Sequence, residues 1–360
     1  MKPHLPVGHS GEWSVELLRG AAAVLVVLAH YGPANGLDLG LLAFAHTGVD
    51  LFFVLSGFVF APYFFGRPLD TGGHLVRRFF RLYPLYAVAL LVYAWPRAGS
   101  DALLENLLKH AFFLHTLGSP EVAFFFNPAF WSLPPEVEFY LALPLLCRLL
   151  KRTRGIVMAA LLATLLHLGL NFLPAPNDGA INAINAANTF NPLILQVHLP
   201  GLLCEFLLGA VAWRVAGTLQ SRLARLLLIA AGIALWLVLA SVFVSLGDTG
   251  IAASRLFKGN IGLFSAVAFA LIVCGICGAI RHPPPRLRVF SSWAGNLSYG
   301  IYLFHNVAPS LLRHLGHHDV GLRFAFASFA LTLAIALLLN LLWEDPWRRF
   351  GRRLAGRCPA

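Results

Sequence analysis

Long apolar stretches, each about the length that crosses a bilayer, recur along this chain of 360 residues. A helix needs about 20 predominantly apolar residues to span a hydrocarbon core roughly 30 Å thick. Because lipid offers backbone polar groups no partner, such spans fold as helices. The sequence therefore predicts an all-α, polytopic membrane helix bundle of about ten transmembrane helices. The predicted spans lie near residues 13–32, 47–66, 79–96, 131–150, 155–173, 191–214, 224–246, 260–280, 289–312 and 322–343.

The basic residues predict how these spans are oriented. The net charge is +11, with 27 Lys and Arg against 16 Asp and Glu, a balance that in a soluble chain would suggest nucleic acid. Most of these cations fall on the connections of one side. The positive-inside rule then places both termini in the cytoplasm. We expect anionic membrane lipid as the partner of these charges, and no nucleic acid.

The composition leaves little room for a soluble domain, because 58% of the residues are hydrophobic and only 12% are charged. We expect a single integral membrane domain over residues 1–360, with a core of about 13–350 and no appended soluble domain. The five cysteines fall mostly within spans or at the cytoplasmic end, so the sequence predicts no disulfide framework.

The first span carries two polar side chains, Arg19 and His30, eleven positions apart. At 100° per residue, eleven steps give three turns and about 20° more, so both lie on one helix face, about 16 Å apart. A charge near the bilayer centre costs roughly 2.5 to 3.5 kcal/mol on insertion scales. The pair alone leaves two interpretations open: a snorkelling arginine with a hydrogen-bonded histidine, or two functional groups at different depths.

Carboxylates recur near the outer ends of two further spans. Asp50 falls in the first turn of the second span, at a depth similar to that of His30, so a His30–Asp50 pair is geometrically possible. Such a carboxylate would fix the imidazole tautomer and stabilise its protonated form. Glu136 opens the fourth span beside Trp131. Each acid alone is also explained as a charge favoured at a helix N-terminus.

The ninth span places Ser298, Tyr302 and His305 at helical spacing within an otherwise apolar segment. These side chains bring hydroxyls and a second imidazole into the membrane. They are therefore candidates for contact with a polar substrate.

On the cytoplasmic side, Arg77, Arg78 and Arg81 precede the third span. Their spacings of three and four would gather the guanidinium groups in one cluster, which suits phosphate. The alternative is a positive-inside stop that touches lipid phosphates. The chain has a basic inner face and an outer layer of His and carboxylates, joined by helices. This arrangement favours the interpretation that the two lie at opposite ends of a path for group transfer.

At these residues the sequence resembles the acyltransferase-3 family of integral membrane O-acyltransferases. Six segments carry the resemblance, in the order in which the family has them. The segments are Arg19 to His30, GVDLFFVLSGF from Gly48, RRFFRLYP from Arg77, WSLPPEVEFY with Glu136, LSYGIYLFH ending at His305, and WEDPWRR with Glu344. In the fourth of these segments, many members have two adjacent acids followed by Gln, where this chain has Glu136, Val137 and Glu138.

The resemblance implies transfer of an acyl group, most commonly acetyl, from cytoplasmic acyl-coenzyme A to a hydroxyl of a carbohydrate-containing acceptor. That acceptor is a surface polysaccharide, a lipopolysaccharide, another glycan or a glycosylated metabolite. Acyl-CoA is then a co-substrate, with no tightly bound cofactor and no metal expected. The expected location is the bacterial cytoplasmic (inner) membrane.

The site residues follow from the motifs and from the chemistry above. We expect catalytic roles for His30, Asp50 and Glu136, with His30 as general base. We expect acyl-CoA to be bound by Arg19, Arg77, Arg78 and Arg81, and the substrate by Trp131, Ser298, Tyr302 and His305. The alternative function is a transporter or flippase of a polar glycan or anion, because buried His and carboxylates also serve proton relays.

Overall fold

The chain forms a helical bundle in a computed structural model that describes residues 12–172, 192–253, 257, 259–280, 283–318 and 320–356. No β-strand occurs within these ranges, and the predicted all-α class is confirmed. The helix Arg222–Ala253 bends at Gly247, whose φ of 59° is not helical. In chain order the main helices are α1 Glu12–Ala34, α2 Gly48–Phe64, α3 Thr71–Ala94, α4 Leu103–Ala111, α5 Leu133–Leu149, α6 Thr153–Phe172, α7 Leu199–Ala216, α8 Arg222–Ala253, α9 Ile261–Ile276, α10 Pro285–Phe304, α11 Val307–His314, α12 Leu322–Leu339 and α13 Asp345–Ala355.

Each of the ten predicted spans coincides with helix in the structure. The protein is a multi-pass membrane protein. The number ten and the cytoplasmic placement of the termini stay predictions. Six helical segments are by themselves long and apolar enough to cross a bilayer: Trp13–Gly32, Gly40–Phe64, Thr153–Asn171, Leu195–Ala216, Arg222–Gly247 and Leu322–Ala355.

The ninth predicted span, 289–312, is wrong as one continuous helix. Helix α10 ends at Phe304 and α11 begins at Val307, so the helix breaks at His305. The His305 side chain turns back to the carbonyl oxygen of Tyr302 at 2.8 Å. A histidine side chain that hydrogen-bonds to a backbone carbonyl of the last turn is typical of the C-terminal end of a helix. The break therefore places an imidazole at the tip of α10.

Small residues let the central helices cross at close range. Helices α2 and α7 meet at Gly57, where an added Cβ would lie 1.7 Å from the backbone oxygen of Phe206. Helices α1 and α10 meet at Gly20, where an added Cβ would lie 2.6 Å from the Cβ of Ala294. Such crossings are common between membrane helices, since packing drives their association. They hold α1, α2, α7 and α10 together at the centre of the bundle.

The two ends of the bundle carry different groups. We define the inner end as the one that holds the first turns of α1 and helix α13, where Arg348 lies 3.1 Å from Oδ1 of Asn296. The opposite end, with His30 and His305, is the outer end. The positive-inside rule predicts that the inner end faces the cytoplasm.

Candidate active site

His30 lies near the outer end of α1, held by its own helix. Its Nδ1 atom is 2.8 Å from the carbonyl oxygen of Val26. A carbonyl only accepts, so Nδ1 carries the hydrogen and Nε2 keeps its lone pair. His30 is thus in the tautomer that a general base requires.

His305 is the neighbour of His30 at the outer end. The two imidazole centroids are 4.8 Å apart. Nδ1 of His305 donates to the Tyr302 carbonyl at 2.8 Å, and its buried Nε2 has no hydrogen-bond partner in the part of the chain that the structure describes. Tyr31 donates to the His305 backbone oxygen at 2.5 Å, which fixes the end of α10 against α1. The two neighbouring imidazoles are therefore held in the same way. In each, Nδ1 hydrogen-bonds to a carbonyl of its own helix, and Nε2 is available to a substrate.

The His30–Asp50 pair that the sequence left possible does not form within the described residues. Asp50 is buried and lies beside the carboxyl group of Glu205 on α7, since an added Cβ at Gly262 would lie 2.8 Å from Oε1 of Glu205 and 3.1 Å from Oδ1 of Asp50. The direction of α2 explains this, because Gly48 faces α1, where an added Cβ would lie 2.7 Å from the Ala22 oxygen. Two residues further, at 100° each, Asp50 points to the other side. Neither oxygen of the buried Glu205 carboxyl group has a hydrogen-bond partner among the described residues.

Glu205 was missed by the sequence analysis. It is fully buried, and the only signal in the sequence was a single acid within the apolar run LLCEFLLGA. An ionisable residue within a span is by default a candidate for a functional or structural partner. That signal could have found Glu205, although it could not have named Asp50 as its partner.

A central cavity of about 60 Å³ lies between α1, α2, α3, α5 and α10. It gathers three guanidinium groups, one carboxylate and several hydroxyls within the bundle. Six residues singled out in the sequence line it together. They are Arg19, Arg78, Arg81, Glu136, Ser298 and Tyr302.

Glu136 enters this cavity from the first turn of α5. The Tyr140 hydroxyl, one helical turn further, donates to the Glu136 carboxylate. Tyr140 in turn lies under the Arg78 guanidinium, whose central carbon is 5.6 Å from the ring centroid. The carboxylate and the guanidinium are therefore joined through one tyrosine rather than by direct contact.

Arg78 is the guanidinium best placed to meet a ligand. It lies over the rings of Phe60 and Tyr140, its buried Nε has no hydrogen-bond partner, and no ion pair joins it to a carboxylate of the described residues. A desolvated cation without an anion binds anionic or strongly polar groups well. The predicted role of Arg78 in donor binding stays a prediction, which this unpaired guanidinium suits.

A second cavity, the inner cavity, has a volume of about 280 Å³ and lies towards the inner end. Arg19 and Arg78 line both the inner and the central cavity, so the two spaces adjoin at these side chains. Glu16 lies 3.1 Å from Arg19 at this boundary. A polar path therefore runs from the inner end towards the outer histidines.

The expected single cluster of Arg77, Arg78 and Arg81 is wrong for Arg77, whereas Arg78 and Arg81 line the central cavity together. Helix α3 begins at Thr71, and its N-cap Asp70 accepts from the Gly73 N–H and lies 3.7 Å from Arg77. Arg81 faces the other way, into the central cavity, where Glu344 lies 2.9 Å from it. The carboxylate partners differ because the two arginines lie about 6 Å apart along α3, so Arg77 reaches the acid at the start of its own helix and Arg81 reaches an acid of another element. Arg77 and Arg81 are therefore partly neutralised, in different places.

The outer edge of the central cavity is formed by two hydroxyls. Tyr302 donates to the Ala129 carbonyl at 2.6 Å, and Ser132 lies 2.6 Å from the Tyr302 hydroxyl. Tyr302 precedes His305 by three residues, which is about one helical turn. The cavity thus ends one turn below the histidine pair.

Two of the predicted substrate residues are held by other groups. The Ser298 hydroxyl lines the cavity but donates to its own helix, to the Gly295 carbonyl at 2.7 Å. Trp131 packs edge-on against Phe53, with ring centroids 6.3 Å apart. Neither arrangement tests contact with a substrate, which stays a prediction.

Glu138, two residues after Glu136, faces a different helix. It pairs with Nδ1 of His198 and accepts from the backbone N–H of Leu199 at 2.7 Å. A carboxylate at the first N–H groups of α7 stabilises that helix end. The second acid of the motif therefore caps α7 and lies outside the central cavity lining.

Comparison with known proteins agrees with these motifs over most of the chain. A family model described as "Acyltransferase domain" matches residues 12–341. No solved structure matches the chain at a significant level.

Curated relatives are similar along nearly their whole length. Nodulation protein 10 of Rhizobium leguminosarum bv. viciae is 24% identical, covering 86% of this chain and 85% of its own. Acyltransferase MdmB of Streptomyces mycarofaciens is 25% identical, covering 85% and 81%. Exopolysaccharide production protein ExoZ of Rhizobium meliloti (strain 1021) is 26% identical, covering 86% and 94%.

Proposed function

The chain belongs to the acyltransferase-3 family, and from that premise we propose that it transfers an acyl group, most commonly acetyl, from cytoplasmic acyl-coenzyme A to a carbohydrate hydroxyl. The family membership favours the enzyme over the transporter that the sequence left open. The observation that carries the proposal is the pair of adjoining cavities, which lead from the inner end to one turn below His305.

His30 acts as the general base at the outer end of this path. Its Nε2 atom removes the proton of the acceptor hydroxyl while the oxygen attacks the thioester carbonyl carbon. The C–O bond forms, the C–S bond breaks, and the imidazolium returns the proton to the leaving thiolate. The Val26 carbonyl keeps Nδ1 protonated throughout and so preserves the reactive tautomer.

The donor enters from the inner end. Arg19 and Arg78 stand where the inner and central cavities adjoin, so a donor arm must pass between them. The free guanidinium of Arg78 can bind the carbonyl and phosphate oxygens of such a molecule. The distance of about 16 Å along α1 from Arg19 to His30 makes an extended arm necessary.

The acceptor reaches His30 from the outer side. The name of the relative ExoZ, an exopolysaccharide production protein, supports a polysaccharide as acceptor. The bacterial sources of the relatives, together with the six apolar helices, support the bacterial cytoplasmic membrane as the location.

The first prediction concerns His30. We expect His30→Ala to lower kcat for acetyl transfer at least about 100-fold, the effect typical of losing a general base. Purified protein in lipid nanodiscs would receive labelled acetyl-CoA and a panel of glycan acceptors, and labelled product would be counted. His314→Ala is the matched control, because His314 is exposed at the same end. Equal rates for wild type and His30→Ala would refute the general-base role.

A further inference from the structure

A third cavity, the basic pocket, opens at the inner end beside the inner cavity. Its volume is about 290 Å³, and it lies between the α2–α3 connection and the last turn of α5. Tyr63 and Arg67 line both this pocket and the inner cavity, so the two spaces adjoin. The other polar lining residues include Thr71, Arg148 and Lys151.

The pocket concentrates positive charge without neutralising it. Arg67 comes from the α2–α3 connection, Arg148 from the last turn of α5 and Lys151 from the residues that follow it. None of the three forms an ion pair with a carboxylate of the described ranges. The nearby acid, Asp70, is engaged by Arg77 and by the N-terminus of α3. Three converging cations with no anion form a site suited to phosphate.

A rival cavity of about 710 Å³ lies on the other flank of the inner cavity. Its buried cation, Arg225, already donates to backbone carbonyls of α7, α9 and the residues that follow them, including Ala216 at 2.9 Å and Cys277 at 2.9 Å. The Arg225 guanidinium therefore hydrogen-bonds to the carbonyls at the ends of these helices and is not available to a ligand. Apart from Arg222, the other lining side chains are mainly apolar, which disfavours a polyanion there.

We propose that Arg67, Arg148 and Lys151 bind the phosphate groups at the nucleotide end of the acyl donor. The inference rests on the proposed function, because it assumes a donor of the coenzyme A type. The acyl arm then runs from the basic pocket through the inner cavity, past Arg19 and Arg78, to the central cavity. Arg77, which the sequence had grouped with the donor-binding arginines, has no part in this path.

The test compares two donors that differ only in the phosphate-bearing end. Acetyl-CoA carries the nucleotide and its phosphates, whereas acetyl-pantetheine lacks both. In the double variant Arg148→Gln/Lys151→Gln we expect KM for acetyl-CoA to rise about tenfold at low salt, with KM for acetyl-pantetheine unchanged. The salt dependence of KM for acetyl-CoA should weaken in the same variant.

The matched control is Arg152→Gln/Arg154→Gln, which removes two exposed cations from the same connection and the first turn of α6. We expect it to leave KM for both donors unchanged. An equal rise with the control pair would mean that only the general charge of the inner end matters, and would overturn the site. A rise for both donors in the Arg148/Lys151 variant would assign these cations to lipid phosphate instead. A tenfold effect from Arg222→Gln without one from Arg148/Lys151 would move the site to the rival cavity.

A binding measurement separates failure of the site from failure of the proposed function. If wild type transfers acetyl from neither donor to any acceptor, equilibrium binding of labelled coenzyme A is measured instead. Binding that weakens in Arg148→Gln/Lys151→Gln and not in the control pair would support the pocket even though the acceptor is wrong. Wild type that binds no coenzyme A would overturn both proposals.

Discussion

At the scale of single residues, the buried polar groups are mostly held by backbone or by an unexpected partner. His30 and His305 each engage a carbonyl of their own chain through Nδ1. Asp50, which the sequence allowed beside His30, lies beside Glu205. The imidazole tautomer is therefore set by helix carbonyls, and the two acids lie together at the contact between α2 and α7.

The second prediction concerns this carboxyl pair. Glu205→Leu would remove two buried carboxyl oxygens that have no hydrogen-bond partner among the described residues, and we expect it to raise stability by about 1 to 3 kcal/mol. Glu205→Gln keeps a buried polar group at the same place, so we expect stability near that of wild type. Thermal unfolding in detergent would rank the variants.

Asp50→Asn supplies the complementary check, because the amide keeps the size of the side chain and removes its ionisable carboxyl group. We expect this variant to fold and to keep most of its acetyl transfer. Wild-type stability with activity abolished would instead return Asp50 to the catalytic group that the sequence predicted.

At the scale of elements, close crossings decide which side chains face the path. Helices α2 and α7 approach so closely at Gly57 that no side chain fits between them. This contact turns the Asp50 face of α2 towards α7 and leaves Ser56 on the central cavity. The position of the site thus depends on glycines that touch no ligand.

The third prediction concerns the crossing of α2 and α7. An added methyl at Gly57 would lie 1.7 Å from the Phe206 oxygen, so the backbones must separate. We expect Gly57→Ala to destabilise the fold by about 1 to 3 kcal/mol, the range for overpacked sites. Unfolding temperature and size-exclusion behaviour in detergent would measure it.

Gly169→Ala is the control for this variant, because nothing lies within 4 Å of an added Cβ at Gly169. Alanine is favoured over glycine in a helix by about 1 kcal/mol, so this change should be neutral or stabilising. Similar losses for both variants would show that helix propensity, and not the crossing, controls stability.

At the scale of the whole molecule, three adjoining cavities connect the inner end with the level of the outer histidines. Groups from five helices line the central one, so no single element contains the site. The basic pocket and the histidine pair lie at opposite ends of this path. Under the proposed function, that arrangement would let a donor and an acceptor from opposite sides of a membrane meet within one chain.

The fourth prediction tests this orientation. Ser100, between α3 and α4, lies on the side that the charges predict to be external, and Ser221, between α7 and α8, on the cytoplasmic side. In a chain with Cys147 and Cys358 replaced by Ser, we expect an impermeant maleimide to label Ser100→Cys in intact spheroplasts. Ser221→Cys should react only after lysis. The reverse pattern would invert the topology and with it the sides assigned to donor and acceptor.

The sequence alone determined the properties that depend on one helix at a time. Apolar length predicted the membrane spans, and the spacing of Arg19 and His30 placed both on one face at two depths, since helix geometry is local. Motif order predicted the acyltransferase family, which the comparison confirms. The break at His305 falls within the ninth predicted span, which stays a prediction as a membrane crossing.

Only the tertiary structure decided which side chains meet. Asp50 faces Glu205 because the Gly48 side of α2 is pressed against α1. Arg77 separates from Arg81 because Asp70 and Glu344 belong to different elements. The partner of a buried group depends on the rotation and crossing of neighbouring helices, which long-range packing sets and local periodicity does not encode.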